Sequence, residues 1–321
     1  MKSLQLSSSS QNKTFFYVLI GLGMFFIVSI IFLVFCLQRI VGHSSGLLVD
    51  SNEITLIEIE GPIDQSDDIV RRIKHFEKSA SKALLIRLNS PGGAVAPSQE
   101  IYAELLRTHE DKKIVVASMS SLAASGAYYI ASAADKIIAD PGTLTGSIGV
   151  IAEFPDASNL LEKVGVKFQT IKSGKFKDTG TFDRAMTPEE RTYLQETIND
   201  VFQQFVQSVL DSRRKIFAEK LAQNLNVDPT SLTDTQIRNY ILQYADGRVL
   251  TGKRAVDLGF VDQLGNYEDA INETAQLAGI KGEPIVNNDQ SIKLNQFLNS
   301  ILPFSFLTKQ ICGFELEYRT F

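Results

Sequence analysis

The sequence predicts an α/β protein with largely parallel strands, set behind a single membrane-spanning helix. Two observations carry this expectation. From about residue 54 onward, short β-branched runs alternate with helix-like stretches, the pattern of strand–crossover–strand units. Ahead of them, Phe15–Cys36 reads FFYVLIGLGMFFIVSIIFLVFC, with neither a charge nor a proline.

The apolar run comes first in the chain. At ~1.5 Å of rise per residue, its roughly 22 residues reach across a hydrocarbon core of ~30 Å. It is too long for the apolar part of a cleavable signal, and no alanine precedes Ala80 to form a small-residue cleavage site. A buried core helix would carry a polar stripe, and this run has none. Residues 1–14 are therefore expected to be a cytoplasmic tail, 15–36 an uncleaved anchor and 37–53 a tether containing Gly and Ser. Lys2 and Lys13 precede the span, and only Arg39 follows it before Arg71. That asymmetry places the N-terminus in the cytoplasm and the body outside.

In the body, strands are expected at Ile54–Ile59, Ala83–Leu88, Lys113–Ala117, Lys136–Ala139, Gly149–Ala152 and Lys167–Ile171. Helical patterns lie between them, at about 65–78, 98–109, 124–134 and 157–164. A long helix is expected over Pro188–Lys215, because Leu194, Ile198, Val201, Phe202, Phe205 and Val209 recur at three- or four-residue spacing. That stripe packs either on its own domain or on another subunit. Residues 219–245 are polar and read as short helical pieces with turns. The folded body is expected to span 54–282, and 283–321 to form a tail whose Ile301–Leu307 is apolar enough to dock.

Composition narrows the function. Hydrophobic residues make up 44% and charged residues 21%, so a buried core is expected. Three of the 32 basic residues and none of the 37 acidic ones precede residue 40, so the rest carries a net charge of −8. An acidic body repels phosphate backbones, which argues against nucleic acid as a partner. Cys36 and Cys312 have no zinc-type spacing and read as unpaired small hydrophobes; no metal or cofactor is expected.

Three segments carry chemistry. Asn89-Ser90-Pro91-Gly92-Gly93 follows a strand, and paired glycines there allow a tight turn whose free N–H can face an oxyanion. Ser121–Tyr129 (SLAASGAYY) places Ser125 at a helix start, where it is either a nucleophile or an ordinary N-cap. A serine nucleophile needs a base. The three histidines are poor candidates: His43 adjoins the membrane, His75 sits in a charged helix, and His109 sits in a solvated turn. A lysine serves if burial lowers its pKa from about 10.4 toward 7–8. Thr170–Asp178 offers Lys172, Lys175 and Lys177, and spacing alone does not choose among them.

Taken in order, NSPGG, SLAASGAYYIASAADKI, TLTGSIGV, IKSGKFKD and DGRVLTGKRAVDLGFVDQLG resemble the bacterial signal peptide peptidase family in its short, single-catalytic-domain form. The likeness covers about residues 54–275. It implies a crotonase/Clp-protease-like superhelix of ββα units. It further implies Ser125 as nucleophile, Lys177 as general base, Ser147 as the residue orienting that base, and the amides of Gly93 and Gly126 as the oxyanion hole. It implies a dyad shared between neighbouring protomers of a ring or dome, expected to be an octamer. The resemblance also implies peptide substrates, namely remnant signal peptides and unfolded apolar chains, at the bacterial inner membrane. Three departures stand out. Ala127 replaces a glycine, with a methyl expected to be tolerated though able to narrow the cleft; Lys175 adds a charge beside Lys177; and 219–245 is long. Two rival readings are an acyl-CoA hydratase or isomerase of the same fold, and a non-catalytic membrane scaffold.

Overall fold

The computed structural model describes residues 52–110 and 112–288, together with Ser29. The anchor expected at 15–36, the tail 1–14, most of the tether 37–53 and residues 289–321 lie outside the described residues. Among those described, no helix is long and apolar enough to cross a membrane.

Among the described residues, the centre is a sheet of eight strands. They are β1 (Glu53–Glu60), β2 (Ala83–Ser90), β3 (Ile114–Ala124), β4 (Lys136–Ala139), β5 (Leu144–Gly146), β6 (Val249–Thr251), β7 (Gln263–Leu264) and β8 (Ile285–Asn288). The order along the sheet is β6-β5-β3-β2-β1-β8, with β4 between β3 and β7. Every pairing is parallel except β5 with β6. Both faces are covered, which is why β2 (ALLIRL), the start of β3 (IVVA) and β4 (KIIA) read as largely apolar runs rather than alternating ones. Eight described helices accompany the strands: α1 (Asp67–Lys78), α2 (Val95–Thr108), α3 (Gly126–Ala131), α4 (Ser158–Val164), α5 (Pro188–Leu225), α6 (Asp234–Leu242), α7 (Gly252–Leu258) and α8 (Tyr267–Leu277). One core unites Ile57, Leu84, Ile86 and Val115 with Phe76 of α1, Leu105 of α2, Tyr128 of α3 and Phe217 of α5. A second joins Ile54, Leu56, Leu85 and Val116 to Ala270, Ile271 and Ala275 of α8.

β3 aims the site. Its first part pairs with β4 through Val116–Met119, and its last three residues pair with β5 instead. On its other edge, β2 advances from Leu88 to Ser90 while β3 advances from Met119 to Ala123. Such an irregularity bends a strand and re-aims the residues after it, here Ser125.

Several expectations change. β3 runs seven residues beyond Ala117, to Ala124. Gly149–Ala152 and Lys167–Ile171 form no strand, and β5 at Leu144–Gly146 takes the place beside β3. Val150 and Ile151 of the first segment line a cleft, the side chains of the second are exposed, and no described strand pairs with either. α5 extends past Lys215 to Leu225, because Phe217, Ala218 and Ala222 continue its buried face. Residues 219–245 belong to this same core: Ile237 and Tyr240 of α6 are buried, and the Tyr240 ring meets Phe217 edge-on. The sheet itself continues to Asn288, past the boundary at 282.

One stretch has no core at all. Apart from Glu190, no residue from Ile151 to Gln204 is buried. Ile171 is 99% exposed, Ile151 85% and Leu160 62%. The first seventeen residues of α5 stand in this arm, supported by a capping box of Thr187 and Glu190 with Pro188 at the first position.

Candidate active site

The turn after β2 is built around glycine. Ser90, fully buried, accepts a hydrogen bond from the Gly92 amide at 3.1 Å. Ile63 N–H donates to the Gly92 carbonyl at 3.0 Å, and Ala94 N–H donates to the Ile63 carbonyl at 2.8 Å. Gly93 N–H, between them, is left without a backbone acceptor among the described residues. A side chain at Gly93 would have its Cβ 2.4 Å from the Ile63 oxygen. At Gly92, with φ +94°, the Cβ would fall 2.5 Å from the Gly126 nitrogen. The two turns touch backbone to backbone, which only glycine permits.

Ser125 sits at the other side of that contact, after β3 and before α3. Its N–H donates to the Gly146 carbonyl at 2.9 Å. Its backbone takes φ 53°, ψ −120°, and its hydroxyl makes no capping bond, so it stands at the N-cap position without acting as a cap. Gly126 follows as the first helical residue, whose N–H has no intrahelical partner. Four described non-glycine residues have positive φ. Asn226 ends α5 and Lys112 sits in a turn; the other two are Ser125 and Ser147. Strain of this kind, of order 1–3 kcal/mol per residue, persists where surrounding structure holds it. Here it occurs at two serines that line one cleft.

That cleft, of about 320 Å³, brings together Gly93, Ser125, Gly126 and Ser147. Its walls are apolar: Val95, Tyr129, Val201 and Phe205, with the Tyr129 and Phe205 rings 4.8 Å apart. Behind the wall, the Tyr129 hydroxyl meets Ser208 at 2.6 Å, and Tyr102 donates to the Ser208 carbonyl at 3.0 Å. Burial raises the pKa of Tyr102, so its hydroxyl stays protonated. Among the described residues, no histidine and no carboxylate lines the cleft. His109 instead contacts the Ala133 carbonyl at 2.9 Å and Asp135 at 3.4 Å. Ala127 is fully buried and off the cleft surface, so its methyl does not narrow the opening.

Lys177 does not join this group within the chain. It lies on an exposed turn in the arm, and the cleft lining excludes it. The three lysines of the segment nonetheless differ. Lys172 pairs with Asp178, and Lys175 pairs with Glu189, which offsets the charge expected to act on its neighbour. Among the described residues the Lys177 amine forms no ion pair.

Residues 107–227 and 233–281 match the family model described as Peptidase family S49. The chain belongs to peptidase family S49. This S49 peptidase is 41% identical over 235 residues to a putative protease of Synechocystis sp., covering 73% of this chain and 77% of that one. It is 36% identical to a putative signal peptide peptidase SppA of Enterococcus faecium, over 71% of this chain and 60% of that protein. It is 32% identical to the chloroplastic serine protease SPPA of Arabidopsis thaliana, over 70% of this chain and 31% of the plant protein. Among solved structures, a mutant of the 1510-N membrane-bound stomatin-specific protease bound to a substrate peptide aligns with a TM-score of 0.44 at 16% identity. It covers 78% of this chain and 100% of that one. ClpP1 from Listeria monocytogenes aligns at 0.40 and 16% identity, over 67% and 94%.

The residues missed in the sequence are the cleft walls. Val201 and Phe205 were legible as part of an apolar stripe, but not as lining a site. Gly92 was visible as half of a glycine pair, and its contact with Gly126 required the fold.

Proposed function

We propose that this S49 peptidase is a membrane-anchored endopeptidase. Ser125 is its nucleophile, and the neutral Lys177 of a neighbouring protomer is its base. The observation that carries the reading is the backbone of Ser125, held at φ 53° beside two unengaged glycine amides in an apolar cleft. Lys177 takes the hydroxyl proton as Ser125 attacks the peptide carbonyl. The Gly93 and Gly126 amides receive the oxyanion, and water releases the acyl-enzyme. Ser147 hydrogen-bonds the incoming amine and orients it. The exposed arm that carries Lys177 supports a subunit-shared dyad, because its apolar residues have no cover among the described residues. The assembly is a ring or dome, an octamer in this reading, with the crotonase/Clp-like superhelix as its protomer. Substrates are remnant signal peptides and other unfolded apolar chains, presented at the inner membrane by the anchor at 15–36. The apolar walls of the cleft favour small or apolar side chains at the cleaved bond.

A hydratase or isomerase would use acidic residues for proton transfer, and no described carboxylate lines the cleft. Mixing tests the shared dyad directly. Ser125→Ala and Lys177→Ala should each abolish peptide cleavage, and co-assembly of the two variants should restore a fraction of it. If the mixed particles stay inactive while wild-type chains mixed with either variant remain active, the dyad does not cross between protomers.

A further inference from the structure

The base proposed above sits in the part of the chain with no core of its own, yet general-base catalysis needs it placed to within about an ångström. Something local must hold it. The turn bearing Lys177 is fastened to the start of α5 at three points. Lys175 pairs with Glu189, and the Phe176 ring stacks on Tyr193 with centroids 5.1 Å apart. The third tie is Arg184, and of the three it alone reaches the residue next to Lys177 on the α5 side. Its guanidinium contacts Asp178 Oδ1 at 3.1 Å, Oδ2 at 3.3 Å and the Asp178 carbonyl at 3.3 Å. The same group donates to Glu190 Oε2 at 2.9 Å and Oε1 at 2.5 Å.

Glu190 is the only buried residue of the arm, at 3% exposure. It also accepts from the Thr187 amide at 2.9 Å, while its own amide donates to Thr187 Oγ1 at 3.2 Å. The carboxylate therefore caps α5 and receives Arg184 together. A long rigid helix is joined through one planar fork to the peptide unit that follows Lys177. Guanidinium geometry suits this bridge, because two carboxylates and a carbonyl lie within reach of one flat group. The Lys172–Asp178 pair adds a second cation to the same carboxylate.

We infer that Arg184 is a positioning residue for catalysis, locking the Lys177 turn to the α5 N-terminus through Asp178 and Glu190. This rests on the reading of Lys177 as base. The guanidinium does not touch substrate; it fixes where the lysine is presented to the adjoining protomer's cleft. A purely structural arginine would affect the amount of assembled enzyme and leave the properties of each assembled site alone.

The test uses the full-length, detergent-solubilised particle and a fluorogenic apolar peptide, with kcat and KM followed from pH 6 to 10. Arg184→Ala should assemble, lose about 100-fold in kcat and change KM by less than about twofold. The acid limb of its kcat profile should move to higher pH, as expected when a general base is no longer held in place. Arg184→Lys should recover only a small part, since an ammonium cannot span both carboxylates. Loss of turnover with an unmoved acid limb, or full recovery by Arg184→Lys, overturns the inference. Should Arg184→Ala fail to assemble, Asp178→Asn decides, because it keeps the Arg184–Glu190 pair and the helix cap. It should lower kcat at least about tenfold in intact particles, and wild-type kcat there overturns the inference. Lys177→Ala separates the two levels. If it retains normal turnover, the base assignment itself falls; if it is inactive while Arg184→Ala behaves as wild type, only the role of Arg184 falls.

Discussion

The sheet body and the arm of residues 151–204 are built on opposite principles. In the body, Ser125 is fixed by strand pairing, by the Gly146 carbonyl and by backbone contact between two glycine turns. In the arm, one buried carboxylate and a few side-chain ties hold a segment many of whose apolar residues are exposed. The difference teaches that Ser125 and the amides of Gly93 and Gly126 are placed within one protomer, whereas on the proposed reading the arm carries groups made for another surface. Substitutions in the body should therefore act on chemistry and stability, and those of the arm's exposed apolar residues on assembly.

The largest expected effect is on chemistry alone. Ser125→Ala should lower peptide hydrolysis by ~10⁴ or more while the thermal midpoint stays within a few degrees, as scanning calorimetry can show. A large fall in stability would mean that the hydroxyl holds the elbow together. Next comes backbone contact. Gly92→Ala puts a methyl 2.5 Å from the Gly126 nitrogen at a positive φ, so turnover should drop at least about 100-fold and unfolding should occur at lower temperature. At Gly174 of the arm an added methyl would meet nothing within 4 Å, so Gly174→Ala should leave the protomer's midpoint unchanged.

Core packing gives a smaller contrast. Phe205→Ala, at the point where α5 enters the body, should cost about 3–5 kcal/mol in denaturant unfolding. Ile171→Ala, fully exposed in the protomer, should change that quantity by less than ~0.5 kcal/mol, yet weaken self-association in sedimentation. If both variants unfold alike, the arm has a core after all.

Acid gives the finest division. The Arg184 guanidinium holds the Glu190 carboxyl at about 2, well below its usual 4.5. A depressed carboxyl stabilises the folded form fully above the unfolded value, and that contribution disappears as pH falls from about 4.5 through about 2. Limited proteolysis with an acid-active protease at pH 3 should then cut within 151–187 before it cuts the sheet. Uniform digestion would erase the distinction.

The same two regions explain what was legible in the sequence. β2 and β4 were readable because both faces of the sheet are covered, leaving dense apolar runs, and β1 was readable from its β-branched and apolar residues between acids. The site residues Gly93, Ser125, Gly126 and Ser147 were readable from motifs, and they meet in one cleft. In the arm the same reasoning failed. Gly149–Ala152 and Lys167–Ile171 carry β-branched apolar residues, yet Gly149, Val150 and Ile151 line the cleft and Lys167–Ile171 is exposed in the protomer, and periodicity does not tell a paired strand from an unpaired segment. α5 shows both outcomes in one helix. Phe205 and Val209 of its stripe are buried, while Leu194 and Ile198 are not. The three-residue β5 was too short to carry a pattern, and β8 (IVNN) has only two apolar residues before its asparagines.

β8 has a practical consequence for anyone shortening this chain. Ile285–Asn288 lie in register beside Glu53–Leu56, so the last described strand shields the outer margin of the first. A version ending at 282 would bare a row of unpaired amides and carbonyls along β1, an open template for cross-molecular strand addition. Soluble preparations should therefore retain Asn288, and clumping on its removal would trace to that uncovered margin rather than to damage at the cleft.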